Sequence, residues 1–228
     1  MPHPKPIFYQ LTQAERRADL YIFGNITSCP VVPSETSAWN LSQQLAALDA
    51  DEILVHINSY GGEVAEGLAI YNTLRASGAT VATICEGFAC SIASVIFMAG
   101  QTRIMRPASL LMIHSASSGS YGTAADHRKA ADDLDTISAQ SLAVYTEVTG
   151  QSANSILAMM EAETWISPED ALTLGFATAI ADGQTSGNPT QSAQRCVFER
   201  LTAARRPAPS ADTKTLNQFF AALAARKE

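Results

Sequence analysis

Residues 53–62 read ILVHINSYGG and residues 80–94 read TVATICEGFACSIAS. Each is an apolar, β-branched run that gives way to small residues, and each leads into a helical pattern. After the first come Val64, Leu68, Ile70, Tyr71 and Leu74 at helical spacing; after the second comes the apolar stretch 91–100. Near-continuous apolar strands that alternate with helices predict a mostly parallel sheet covered on both faces. The two stretches therefore predict an α/β fold with strands at 53–57 and 80–85 and helices at 63–77 and 91–100.

The same pattern continues in both directions. Upstream, residues 18–26 (ADLYIFGNI) predict a strand that closes on a Gly-Asn turn, and 34–50 a helix capped by Ser34, with Trp39, Leu41, Leu45, Ala46 and Leu48 as its apolar residues. Downstream, 102–105 and 110–114 predict two more strands, and 119–122 a loop. A long helix follows over 123–149, with Ala130, Leu134, Ile137, Ser141, Tyr145 and Val148 at three-four spacing and Gly150 as its stop. So narrow a stripe suits either the surface of its own domain or packing on another subunit. Helix 151–162, strand 164–166, helix 168–174 and the run 176–180 complete the body.

The domain plan is then an N-terminal extension (1–17), one α/β domain (18–182), a linker (183–194, GQTSGNPTQSAQ) and a tail (195–228). In the tail, Leu216, Phe219, Phe220 and Leu223 share one face of a short amphipathic helix that can dock on the body or on a partner. The chain has 228 residues and a net charge of −7. The tail holds seven basic and three acidic side chains, +4, which leaves −11 on residues 1–194. An acidic body argues against general nucleic-acid binding. At 46% hydrophobic and 16% charged, the composition excludes disorder throughout.

Residues 1–10 lack the apolar core of a secretory signal, and the longest apolar run, 92–100, is far short of the roughly 20 residues a membrane span needs. Cys29, Cys85, Cys90 and Cys196 form no Cys-x-x-Cys pair, so neither a zinc site nor a disulfide framework is expected. A reducing cytoplasm is the simplest setting, with Cys85 and Cys90 as buried apolar residues. No cofactor and no metal are called for.

Three predicted strand ends carry candidate chemistry. At the first, the N–H groups of Gly61 and Gly62 can face an anion, or the pair can simply make a tight turn. At the second, Ser91 opens a buried helix. It can cap that helix, or it can act as a nucleophile with the next N–H, that of Ile92, free for an oxyanion. Ser94, one turn on, reads as a packing residue. At the third, His114 closes an apolar strand beside a Ser/Gly-rich loop, where an imidazole can serve Ser91 as general base. His3 is terminal, His56 reads as a satisfied core histidine, and His127 lies on a polar helix face. Glu161 and Glu163 are both placed to orient such a base, and local sequence does not choose between them.

In combination these segments form a pattern. INSYGGEVAEGLAIYNTL (57–74), CEGFACSIAS (85–94), LMIHS (111–115), TGQS (149–152) and WISPEDALTLGF (165–176) resemble the ClpP-type serine peptidases, most of all the phage and prophage head-maturation branch. The resemblance spans roughly residues 18–181. It implies the ClpP/crotonase-like fold, Ser91 as nucleophile, His114 as general base, and the N–H groups of Gly62 and Ile92 as oxyanion hole. It also implies Glu163 as the acid, in place of the family's Asp. Departures are Tyr60 for the usual Pro, Cys90 for Ala, and Ile92-Ala93 for Met-Gly.

The implied function is a serine endopeptidase acting on polypeptides inside a homo-oligomeric ring, with two rings stacked through helix 123–149, and capsid or scaffold proteins as substrates. Residues 1–17 do not match the family's axial segment, so the resemblance does not extend to docking on an AAA+ unfoldase. Two alternatives stand beside this reading. One is a crotonase-type acyl-CoA enzyme, which shares the fold without a Ser-His pair. The other is a non-catalytic shell subunit.

Overall fold

The computed structural model describes residues 11–14, 16–31, 34–47 and 49–181. The linker, the basic tail with its amphipathic helix, and Cys196 lie outside the described residues. Eight strands form one sheet. Its main path runs β1 (Leu11–Ala14), β2 (Arg17–Ile26), β3 (Glu52–Gly62), β4 (Thr80–Cys90), β5 (Thr102–Met105) and β8 (Ala179–Ile180). β6 (Leu110–Ile113) branches off β4 and carries β7 (Thr164–Ile166). All pairings are parallel except β1 with β2 and β6 with β7. This is the predicted α/β class, a mostly parallel sheet with flanking helices.

Two strands run longer than the sequence predicts. Residues 58–62 remain in β3 because both neighbours follow it past bulges at Phe23/Asn25 and Ile57/Ser59. β4 continues to Cys90 because it changes partner: residues 82–85 pair with β5, and 88–90 with β6. Gly87 therefore sits at a fork in the sheet rather than at a strand's end. A Cβ there would come within 2.7 Å of Asn58 Oδ1, which itself accepts the Phe88 N–H at 3.1 Å.

Between strands lie α1 (Ala38–Ala46), α2 (Val64–Ala76), α3 (Ile92–Phe97), α4 (Ala124–Thr149), α5 (Ala153–Glu161) and α6 (Pro168–Leu174). The cap of α1 is Ser37, whose side chain accepts from Asn40 N–H, and not Ser34. Trp39, read as an apolar-face residue, is 72% exposed, while Leu41 is buried. α4 has the predicted ends: a Thr123–Asp126 capping box and Gly150 in the left-handed region at φ 73.

The core lies on one face of the sheet. Ala18, Leu20, Ile22, Ile53, Val55, Ile57 and Val81 are buried there against Ile70, Leu74, Val95 and Ile96 of the helices. Each fully buried aliphatic side chain contributes roughly 1.5–3 kcal/mol. The alternating residues Asp19, Tyr21, His56 and Glu86 are half-buried, so the expectation of two covered faces fails for this part of the sheet. His56 is satisfied by its neighbours: its ring stacks on Tyr21 and Nδ1 lies 2.7 Å from Glu86. Glu86 also takes two hydrogen bonds from Arg106, at 2.9 and 3.2 Å, which ties β4 to the end of β5 just before the fork.

Candidate active site

The carboxyl ends of β3, β4 and β6 meet at one place, the edge where open α/β sheets offer ligand sites. β4 ends at Cys90, and the chain turns at once into α3. Ser91 makes that turn at φ 55, ψ −131, one of three non-glycine residues with positive φ among those described. Such a conformation costs about 1–3 kcal/mol and persists only where the surroundings enforce it. Here the Ser91 N–H bonds Met112 O at 2.8 Å, and its carbonyl accepts from Ser94 N–H at 3.0 Å. Ser91 occupies the N-cap position of α3, yet its side chain makes no capping bond. Its Oγ instead lies 2.8 Å from His114 Nε2.

His114 follows directly on β6. Its position is fixed by what comes next: Ser115 N–H bonds Met160 O at 3.3 Å, and Ala116 N–H bonds the Ser138 hydroxyl at 2.9 Å. The sheet thus brings together two residues 23 positions apart in sequence.

The glycine pair presses against this turn. A Cβ on Gly61, at φ 95, would come within 2.8 Å of Ser91 Cβ and 3.1 Å of Ile92 N. One on Gly62, at φ 151, would fall 2.0 Å from Ile26 O. Only glycine leaves room for the two strand ends to close on each other. Gly61 N–H is taken by Ser59 Oγ at 3.0 Å, and the ladder to β2 passes through Glu63 N–H to Ile26 O at 2.9 Å. Ile92 is the first residue of α3, so its N–H has no intrahelical acceptor. Helix α2 packs over it at Gly67, where a Cβ would meet Ile92 Cγ1 at 2.1 Å.

Of the two acidic candidates, one adjoins the paired strands directly. β6 and β7 pair Leu111 with Ile166, Met112 with Trp165 and Ile113 with Thr164; the ladder ends there, with His114 directly after β6 and Glu163 directly before β7. Glu161 is the last residue of α5, two positions further back. Glu163 has a left-handed backbone, φ 49, and is exposed. Its carboxylate makes no hydrogen bond to His114 in this chain. Burial, chiefly, together with the charges of Cys85 and Glu163, pushes the Cys90 thiol well above its ordinary range. Burial also raises the Cys85 thiol to about 12, and both cysteines are free and buried, as the sequence suggests.

Two features escape the sequence reading. Ser94 is buried as expected, but its hydroxyl also donates to Ser91 O at 2.6 Å and lies 2.7 Å from the Tyr145 hydroxyl. Tyr145 and Ser138, seven residues apart on α4, share the face that meets the site. Their spacing is visible in sequence; their polar partners are not. The second is an aromatic row beside the site, Tyr60 to Phe88 to Trp165, with centroids 5.4 and 5.7 Å apart in edge contacts. Among the described residues no group of His, Cys, Asp and Glu is arranged to hold a metal ion.

Comparison with known proteins places this geometry in context. A family model described as Clp protease matches residues 23–184. An ATP-dependent Clp protease proteolytic subunit of Deinococcus radiodurans is 34% identical over 191 residues, covering 80% of this chain and 93% of that protein. Proteolytic subunit 1 of Streptomyces avermitilis is 32% identical over 167 residues, covering 71% and 77%. Proteolytic subunit 1 of Chlamydia felis is 37% identical over 127 residues, covering 55% and 63%.

Proposed function

The chain belongs to the Clp protease family, and from that premise we propose that it cleaves polypeptides through an acyl-enzyme on Ser91, within a ring of its own copies. The observation that carries this reading is the 2.8 Å contact between His114 Nε2 and Ser91 Oγ at a strained strand-to-helix turn. His114 takes the Ser91 proton as Oγ attacks the scissile carbonyl, then gives it to the leaving amine, and a water repeats the sequence to release the acyl group. The N–H groups of Gly62 and Ile92 receive the oxyanion, whose charge they stabilise most in the tetrahedral state. Glu163 accepts from the far nitrogen of His114. Its place directly before β7, next to the Ile113–Thr164 pair that leads into His114, supports that role.

A narrower reading, prohead maturation with capsid or scaffold proteins as substrates and the cytoplasm as setting, is supported by the motif spellings in this sequence. The crotonase-type alternative needs no Ser-His pair, and the bond between these two weighs against it. One observation favours a non-catalytic shell subunit: Glu163 is exposed and unbonded to His114. No helix of the described residues is long and apolar enough to cross a membrane.

The test is labelling of the assembled protein with a fluorophosphonate, alongside hydrolysis of a fluorogenic peptide. Wild type is expected to label at Ser91 and to turn over; Ser91→Ala is expected to do neither. A wild-type protein inert to the probe, or a Ser91→Ala protein as active as wild type, would overturn the proposal.

A further inference from the structure

Helix α4 is 26 residues long, and only Ser138 and Tyr145 on it are buried. Each directs its hydroxyl at a segment that carries the site. Ser138 holds the Ala116 N–H, two residues past His114. Tyr145, 1% exposed and packed against Phe176, reaches Ser94, and Ser94 reaches the carbonyl of Ser91.

The direction of these hydrogen bonds is fixed by proton count. A serine hydroxyl has one proton. Ser94 commits it to the Ser91 carbonyl at 2.6 Å, so the 2.7 Å contact between Ser94 Oγ and the Tyr145 oxygen takes its proton from the phenol. Donation therefore runs from Tyr145 O–H to Ser94 O–H to Ser91 C=O. The Ser91 carbonyl and the Ile92 N–H are the two ends of one planar peptide group. Fixing the oxygen fixes the direction of the N–H.

We infer that Tyr145 and Ser94 are positioning residues, a buried relay that holds the Ser91–Ile92 peptide with its N–H turned to where the oxyanion forms. The inference rests on the proposed roles of Ser91 and Ile92. The relay acts in two ways. It over-determines a backbone conformation that is unfavourable by itself, at φ 55 and ψ −131. It also polarises the peptide, because a carbonyl that accepts from both Ser94 N–H and Ser94 O–H makes its own N–H a stronger donor. Neither residue touches substrate, so the effect belongs to the tetrahedral state and not to substrate binding.

The experiment compares the full-length, assembled wild type with Tyr145→Phe, Ser94→Ala and the double variant. Three quantities are read: kcat and KM on a fluorogenic peptide, the rate of fluorophosphonate labelling at Ser91, and the affinity of a peptide boronate, which forms a tetrahedral adduct on serine. Tyr145→Phe keeps the ring and its packing on Phe176. It is expected to lower kcat about 3- to 10-fold, with KM unchanged and boronate affinity reduced by the same factor. The double variant should be no worse than Ser94→Ala, because both substitutions cut one path.

A merely structural role would lower the melting temperature and leave kcat and boronate affinity as they are; that outcome for Tyr145→Phe overturns the inference. If Ser94→Ala does not assemble, Tyr145→Phe decides alone. If wild type itself fails to label at Ser91, the peptidase reading fails first and the relay falls with it.

Discussion

Ser91 and Glu163 both have positive φ, 55 and 49, and of the two only Ser91 is bonded to the His114 imidazole. If Glu163 orients His114 in the assembled protein, Glu163→Gln lowers kcat at least tenfold, because a neutral amide stabilises the imidazolium poorly. Glu161→Gln, two residues further from β7, is expected to have the smaller effect. Equal losses from the two, read as kcat on the same peptide, would remove the case for Glu163 over Glu161. A second prediction concerns Glu86. Burial, the largest single influence, pushes its carboxyl up, but hydrogen bonds and charges from His56 and Arg106 outweigh it and hold the group at about 2, against an ordinary 4.5. A carboxylate shifted down stabilises the fold fully above its ordinary value and loses that contribution as pH falls through the folded-state value. Glu86→Gln should therefore flatten the decline of melting temperature between pH 4.5 and about 2 relative to wild type. Parallel curves would show that the fork of the sheet does not depend on this charge.

At the scale of elements, the site depends on how closely α2, β3 and α3 approach. Gly67 permits the contact of α2 with Ile92, and a methyl group there would overlap Ile92 Cγ1 at 2.1 Å. Gly67→Ala is expected to cost roughly 1–3 kcal/mol in chemical denaturation and to lower kcat by displacing Ile92. A variant as stable and active as wild type would mean that α2 has slack the structure does not show. The elements also show why parts of the fold were legible and parts were not. α4 is legible with its ends in place because Thr123, Asp126 and Gly150 are local signals. The last five residues of β4 carry no such signal: 88–90 are strand through pairing with β6, some 20 residues further on, and with Ser59 of β3 past a bulge. β1 has no local signal in sequence; it is four residues long and exists by pairing with β2.

At the scale of the molecule, α4 leaves most of its length uncovered, with Ile137 39% exposed on its stripe. A helix of this kind is expected to be covered by another copy in the proposed ring assembly. Ile137→Glu should shift the protein toward smaller species in sedimentation velocity while the isolated fold melts as before. An unchanged sedimentation profile would place the subunit contact elsewhere.

The sequence by itself determined the α/β class, the order of the elements from β2 to α6, and the three strand ends where chemistry is offered. Those follow from hydrophobic period, caps and glycines, which act over a few residues. The strand-end reading offers His114 as base for Ser91, and the family pattern implies the same pair. Only the tertiary structure decided that Ser91 does not cap its helix, that its Oγ lies against His114 Nε2, and that Tyr145 bonds Ser94. Each of these depends on a partner brought near by sheet register or helix packing, and no local free energy encodes a distance between residues 20 to 50 positions apart.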